Sequence, residues 1–299
     1  MEAITEVCPS NEEPIINTTD ETKPLIFPPL VFELPEGGLA DTNKHPRDER
    51  IQFFEEGHIY DVDGKRDFVS CTTFVHQYVE EFNADETIKG MMSRGLREPY
   101  IGMTADEIKL KWANKGVRAS HQGTITHACI EYFYNDCITQ FPNEIPPEFH
   151  SHFMPFHKEI VEEKGYTPYR TEWYIFDEEH ELAGSVDMLY QVGNDPNNLV
   201  IYDWKRSCKL SKKKGFGDRT MKAPLDHLPD CSYWHYAMQL NIYRHILETK
   251  YNKTISGMVL VGVHPDLKGY QHEKVPILEE EVKNLFARRK DELDLKKAS

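Results

Sequence analysis

Three apolar, alternating segments crowd into residues 167–205, and they limit the folds open to this chain more than any other feature. "YRTEWYIF" and "ELAGSVDMLYQV" read as a hairpin turning at Asp177–His180, and "LVIYDWKR" as a third strand after the "GNDPNN" turn. Upstream, "HIYDVDGKRDFVS" reads as a hairpin around Asp63–Gly64, followed by a helix from Thr72 or Thr73 to about Phe82. Thr104 and Glu107 make a capping box that opens a helix to about Lys115. A longer helix covers about 118–138, and another runs from about 147 to 164 with a break at Pro155. Downstream come a helix over about 232–249, the strand "GMVLVGVH", a shorter strand "YQHEKVPI" and a charged helix 279–297. This order predicts an α/β fold with one central mixed sheet flanked by helices.

At 299 residues the chain is long enough for a substantial core. We expect a single domain over 49–299, its core at about 117–265. Residues 1–48, rich in Pro, Glu, Asn and Thr, read as an acidic disordered tail. No apolar run approaches the roughly 20 residues of a membrane span, so no membrane partner is expected. The acidic start has neither the basic and apolar regions of a secretory signal nor the character of a mitochondrial presequence. An intracellular home is expected, cytoplasmic or nuclear. The six cysteines show no paired-ligand spacing, so neither a zinc ribbon nor an iron–sulfur cluster is expected.

The formal net charge of −15 argues against a surface coated with basic groups for nucleic acid. Its distribution says otherwise. Residues 1–50 hold eleven acids against four Lys/Arg, whereas 205–222 hold eight Lys/Arg against Asp218 alone.

The basic stretch begins at an odd strand end. In "VIYDWKRS" an apolar strand runs straight into Asp203, Trp204 and Lys205, and side chains two apart on a strand emerge on one face. By itself an acid and a base there make a surface ion pair worth under about 1 kcal/mol. Asp187, on the preceding strand, changes that reading. Carboxylates from two adjacent strand ends can share one coordination sphere, and hard divalent cations such as Mg²⁺ take oxygen ligands. A lysine beside such an ion can position an attacking water or help deprotonate it, and partial burial can lower its pKa toward the second role.

"GSVDMLY…VIYDWKRS" resembles the PD-(D/E)XK nuclease superfamily, and more narrowly its RecB-type exonuclease branch. "GTITHACIE" is similar to the branch's upstream helix with its histidine, "QLNIY" to its Q-x-x-x-Y helix, and "FVSCTTF" to its S-x-T element. The likeness runs over about 56–290. It implies a restriction-endonuclease-like core in which His127, Asp187, Asp203 and the Trp204 carbonyl hold a metal. Lys205 would be catalytic and Glu172 an additional acid. Gln239 and Tyr243 would brace the site or touch nucleic acid, Ser70 and Thr72 would bond a DNA phosphate, and Glu131 is as easily a solvated acid as a neighbour of the site. The basic loop, with Arg206, Lys212, Lys213 and Lys214, would take the nucleic-acid backbone. Departures concern Arg206, where relatives often carry threonine, and the length of that loop.

The resemblance implies a Mg²⁺-dependent deoxyribonuclease, with Mn²⁺ able to substitute, acting from ends of single-stranded or frayed DNA in replication, repair or recombination. A structure- or site-specific endonuclease would use the same residues. A catalytically inactive nucleic-acid-binding scaffold would lack a ligand or the lysine, and every expected position is filled. Polarity, the choice of DNA over RNA, the number of metals and the oligomeric state stay open at this level.

Overall fold

The computed structural model describes residues 22–210, 214 and 218–298. The backbone groups into two compact units. The larger holds 30–82 and 122 onward; the smaller holds 22–29 and 83–121.

The larger unit is built on a six-stranded mixed sheet. Its long strands are β4 (Thr167–Asp177), β5 (Leu182–Gln191), β6 (Asn198–Lys205) and β7 (Thr254–Gly262). β5 pairs antiparallel with β4 and β6, while β6 and β7 run parallel. The short β8 (Gln271–Lys274) closes one edge against β7, and β3 (Val69–Ser70) joins β5 in parallel at Leu182 and Ala183. The crossover from β6 to β7 carries helix α6 (Ser232–Lys250), as a parallel connection requires. The central mixed sheet flanked by helices is the architecture expected from the order of periodicities.

Alternation along the strands divides the core into two layers. Leu199 and Ile201 of β6 pack with α6, with α2 (Cys71–His76) and with α7 (Glu279–Ala298). Val200, Tyr202 and Trp204 pack on the opposite face with Phe149, Phe153, Phe156 and Ile160. Both faces are therefore buried, which is why the strands read as nearly continuous apolar runs.

Several expectations are corrected. The two helices anticipated at 104–115 and 118–138 are one, α4 (Ala105–Tyr134). Gly116 and Gly123 lie within it; a mid-helix glycine costs about 1 kcal/mol against alanine but does not force a stop. Thr104 and Glu107 do form the capping box, with Thr104 N–H donating to Glu107 Oε2 at 2.6 Å. The 147–164 helix is instead a short α-helix, α5 (Met154–His157), between π-helical turns at Phe149–Phe153 and Lys158–Glu163. Pro155 lacks the N–H needed for a regular ladder there. His152 is buried, with Nε2 donating to Leu267 O at 3.1 Å. The Asp63–Gly64 turn forms, with φ of 52° and 83°, but the paired strands are β1 (Ile51–Phe54) and β2 (Ile59–Val62) on its N-terminal side.

Residues 30–48, expected within the tail, are tied to the larger unit. Phe32 stacks on Phe141 with ring centroids 5.9 Å apart, and Tyr132 Oη donates to Glu33 O at 2.8 Å. After α1 (Leu39–Thr42), Asp48 accepts from Arg170 Nη1 at 2.8 Å and from Trp173 Nε1 at 2.7 Å. Composition alone reports few apolar residues; it does not report that the few have partners far along the chain.

In the smaller unit, α3 (Ala84–Ser93) is capped by Asn83, whose side chain accepts from Glu86 N at 3.0 Å. Ile88 and Ile108 are its buried apolar centre. Asn114 holds the extended segment before it, accepting from Leu25 N and donating to Lys23 O, both at 2.8 Å.

Candidate metal-binding active site

The register of three neighbouring strands builds the site. Thr171 pairs with Met188 and Trp173 with Val186, which sets Glu172 opposite Asp187. Met188 pairs with Tyr202, and one step on Asp187 comes level with Asp203. Three carboxylates thus stand in a row across β4, β5 and β6. Glu172 adopts φ of 39°, a left-handed conformation that costs a non-glycine residue about 1–3 kcal/mol. Ser185 Oγ donates to Glu172 Oε2 at 2.8 Å and fixes its far oxygen.

His127, on α4, joins the row. Its Nε2 donates to the Trp204 carbonyl at 3.0 Å, and Nδ1 faces Glu172 Oε1 at 3.3 Å and Asp187 Oδ2 at 3.6 Å. Asp187 Oδ2 also accepts from Trp204 N at 2.8 Å, so the backbone on either side of Trp204 is bonded into the cluster. Both ring nitrogens of His127 thus face acceptors. Burial opposes charge on that ring, but Asp187 and Glu172 outweigh it and push its pKa up to about 9.

Leu199 and Ile201 point toward α6, and the same alternation sends Asp203 and Lys205 there. Asp203 is 1% exposed, and neither of its oxygens finds a hydrogen-bond donor of good geometry. Burial and then repulsion from Asp187 push its carboxyl up to about 6. Lys205 is its ion-pair partner and lies 4.8 Å from the centre of the Tyr236 ring. Burial pulls the Lys205 ammonium down, but Asp203 and Asp187 more than reverse this and hold it above its ordinary value. The lowering anticipated from partial burial does not occur, because the paired acids dominate. Asp187 is itself raised by burial, against the pull of His127 and Lys205.

Glu172, Asp187 and Asp203 outnumber the two cations that face them, His127 and Lys205. Glu131, one turn beyond His127 on α4, adds a fourth carboxyl, pushed up to about 8 by burial and then by Glu172. His127, Glu172 and Asp187 each offer a ligand atom within 4.8 Å of the others. Surplus acid, an oxygen-rich donor set and the unpartnered Oδ1 of the buried Asp203 fit a hard divalent cation.

No family model matches the chain, and no curated protein matches it. Among solved structures the chain is similar to one named "Putative exonuclease", from Eubacterium rectale, at 9% identity over 76% of this chain and 79% of that one, with a TM-score of 0.42. It is also similar to the structure of SSO0001, at 13% identity over 77% of each chain, with a TM-score of 0.31. At this level the likenesses add nothing to the geometry above.

The remaining expected residues are placed as follows. Tyr243 is buried, receives a hydrogen bond from Gln239 Nε2 at 2.7 Å, and packs close against Gly184. A Cβ at Gly184 would come 2.5 Å from Tyr243 Cε1, so the pair forms a wall beside Asp187 on β5. Ser70 caps α2, accepting from Thr73 N at 3.0 Å, and pairs with Ala183 in the sheet; Thr72 is exposed. Arg206 is engaged by Glu148, Nε to Oε1 at 2.7 Å. Lys214 is exposed, and Lys212 and Lys213 lie outside the described residues. Sequence reasoning missed Tyr236 and Ser185. Tyr236 sits three residues before Gln239 on α6, and Ser185 two before Asp187 on β5. Helical and strand periodicity around the recognised motifs would have flagged both.

Among the described residues no helix is long and apolar enough to cross a membrane.

Proposed function

We propose that this protein is a metal-dependent nuclease of the PD-(D/E)XK type, in its RecB-like exonuclease branch, hydrolysing phosphodiesters from DNA ends. One observation supports the reading: His127, Glu172 and Asp187 offer ligand atoms within 4.8 Å of one another, His127 is bonded to the Trp204 carbonyl, and Asp203 on the next strand is paired with Lys205. Asp187, Asp203, His127 and the Trp204 carbonyl would hold the cation, with Glu172 as the additional acid. Mg²⁺ bound there, or Mn²⁺ in its place, would neutralise charge on the scissile phosphate and acidify the attacking water.

The chain's own residues do the rest. Asp203 and Asp187 favour the charged form of Lys205, which would act as a positive charge that orients the nucleophile and the phosphate oxygens. Tyr236 limits where that ammonium can move. Gln239, Tyr243 and Gly184 hold β5 in place behind Asp187. The basic stretch after β6, which follows the catalytic strand in sequence, would take the substrate backbone.

The test is a Mg²⁺ time course on end-labelled linear single-stranded DNA beside its circularised counterpart. Degradation of the linear form alone establishes an end-dependent exonuclease. Cutting of both moves the assignment to an endonuclease. Binding without cleavage of single-stranded, duplex or RNA substrates would overturn the nuclease reading in favour of a binding scaffold.

A further inference from the structure

A second group of ligands lies where the sheet releases the basic stretch. β6 and β7 run parallel with Lys205 level with Gly262. Beyond them the chains cross: the Lys205 carbonyl accepts from both Ser207 N, at 2.8 Å, and Val263 N, at 3.0 Å. Segment 207–210 then folds over Gly262 and buries Leu210 completely. A side chain at Gly262 would meet Leu210 Cδ1 and Ser207 O at 3.1 Å each. This crossing brings Cys208, from the β6 side, against His264 and Asp266, from the β7 side. One ligand atom from each of the three lies within 4.8 Å of the others. His264 Nδ1 is 3.6 Å from Asp266 Oδ2 and accepts from Asp266 N at 3.1 Å, so imidazole and carboxylate are already held together. Cys208 is a free, exposed thiol.

We propose that Cys208, His264 and Asp266 form a Zn²⁺ site that fastens the start of the basic stretch to the end of β7. The donor set selects the ion. A thiolate and an imidazole with one carboxylate suit Zn²⁺, which takes mixed sulfur, nitrogen and oxygen ligands in tetrahedral array. Mg²⁺, which demands oxygen, is directed to the carboxylate row instead. Three protein ligands leave a fourth position for water. Binding displaces the Cys208 proton to solvent, while His264 binds as neutral imidazole and Asp266 as carboxylate. The site is independent of the nuclease reading, since none of its residues belongs to the carboxylate row.

The test uses Co²⁺ as a spectroscopic stand-in on the full chain, followed by displacement with Zn²⁺. One equivalent of Co²⁺ should give thiolate-to-metal charge-transfer absorption, which one equivalent of Zn²⁺ removes with release of protons. Cys208→Ser should abolish that absorption, and His264→Ala and Asp266→Asn should each weaken Co²⁺ binding by at least the roughly 10–100-fold that loss of an outer-shell partner costs. Asp187→Asn, in the other cluster, should leave it unchanged. Zn²⁺ should also slow tryptic cleavage after Lys209 in the wild type and not in Cys208→Ser. Absence of the band, its survival in Cys208→Ser, or its loss in Asp187→Asn would overturn the site. A band without protection of Lys209 would overturn the fastening role.

Discussion

Glu172 and Asp187 face each other across β4 and β5, and the Nδ1 of His127 reaches both, at 3.3 and 3.6 Å. Glu172 attains that position only with a left-handed backbone, φ of 39°. The strain has a measurable signature. In an ordinary strand alanine is more stabilising than glycine, and here the order should invert. Urea unfolding should find Glu172→Gly more stable than Glu172→Ala by about 1 kcal/mol, while both lose cleavage. Equal stabilities would mean that the backbone relaxes once the carboxylate is gone.

Lys205→Ala should slow single-turnover DNA cleavage about 10²–10³-fold with DNA affinity held within about threefold. Fluorescence anisotropy on uncleaved substrate supplies the affinity. Unchanged cleavage would remove Lys205 from the mechanism.

Tyr236 holds Lys205 through its ring face, 4.8 Å from the ammonium, so the hydroxyl should be dispensable. Tyr236→Phe should retain cleavage within about twofold. Tyr236→Leu should lose about 3- to 30-fold, the equivalent of a cation–π contact of about 0.7–2 kcal/mol. Fluorinated phenylalanines at this position, which weaken the ring face without changing its shape, should fall between. A rate insensitive to fluorination would reduce Tyr236 to packing.

Gly184→Ala forces Tyr243 off its seat, since the new methyl would lie 2.5 Å from its ring. The expected loss is about 1–3 kcal/mol in chemical unfolding. Shortening the partner, in Gly184→Ala with Tyr243→Leu, should recover part of it. A double mutant whose losses simply add would show that the two residues do not meet.

Asp177 provides the pH test away from the site. It is wholly buried, and burial alone would raise its carboxyl. His180 Nδ1–H at 2.8 Å, Lys250 Nζ at 3.3 Å and the Glu179 N–H at 2.8 Å reverse that and hold it below its ordinary value. A depressed carboxyl stabilises the fold above its unfolded pKa, about 4, and that contribution disappears as pH falls through the folded value. Asp177→Asn should therefore be less stable at pH 7 by about 3–5 kcal/mol and show a flatter decline between pH 5 and 2. An unchanged acid limb would assign the decline to other carboxylates.

Much of the larger unit was legible because its signals are local. The alternation in 167–205 fixed three strands and, through them, the common face of Asp187, Asp203 and Lys205. What escaped depended on distant partners. The anchoring of 30–48 rests on Tyr132, Phe141, Arg170 and Trp173, none of which is near in sequence. The continuity of α4 through Gly116 is a small energetic preference that punctuation rules overstate. The division at 83–121 leaves no composition change to mark it. Cys208 looked like a stray thiol because cysteine spacing is read along the chain, whereas His264 and Asp266 come to it across a parallel strand pair.

The carboxylate row has a consequence for quality control. Side chains alternate with a period of two, so a slip of one residue in β4, β5 or β6 would turn that strand's acid to the opposite face. No misregistered sheet could assemble the cluster even if it stayed compact. Catalysis, in this architecture, would count only those molecules whose three central strands are threaded correctly.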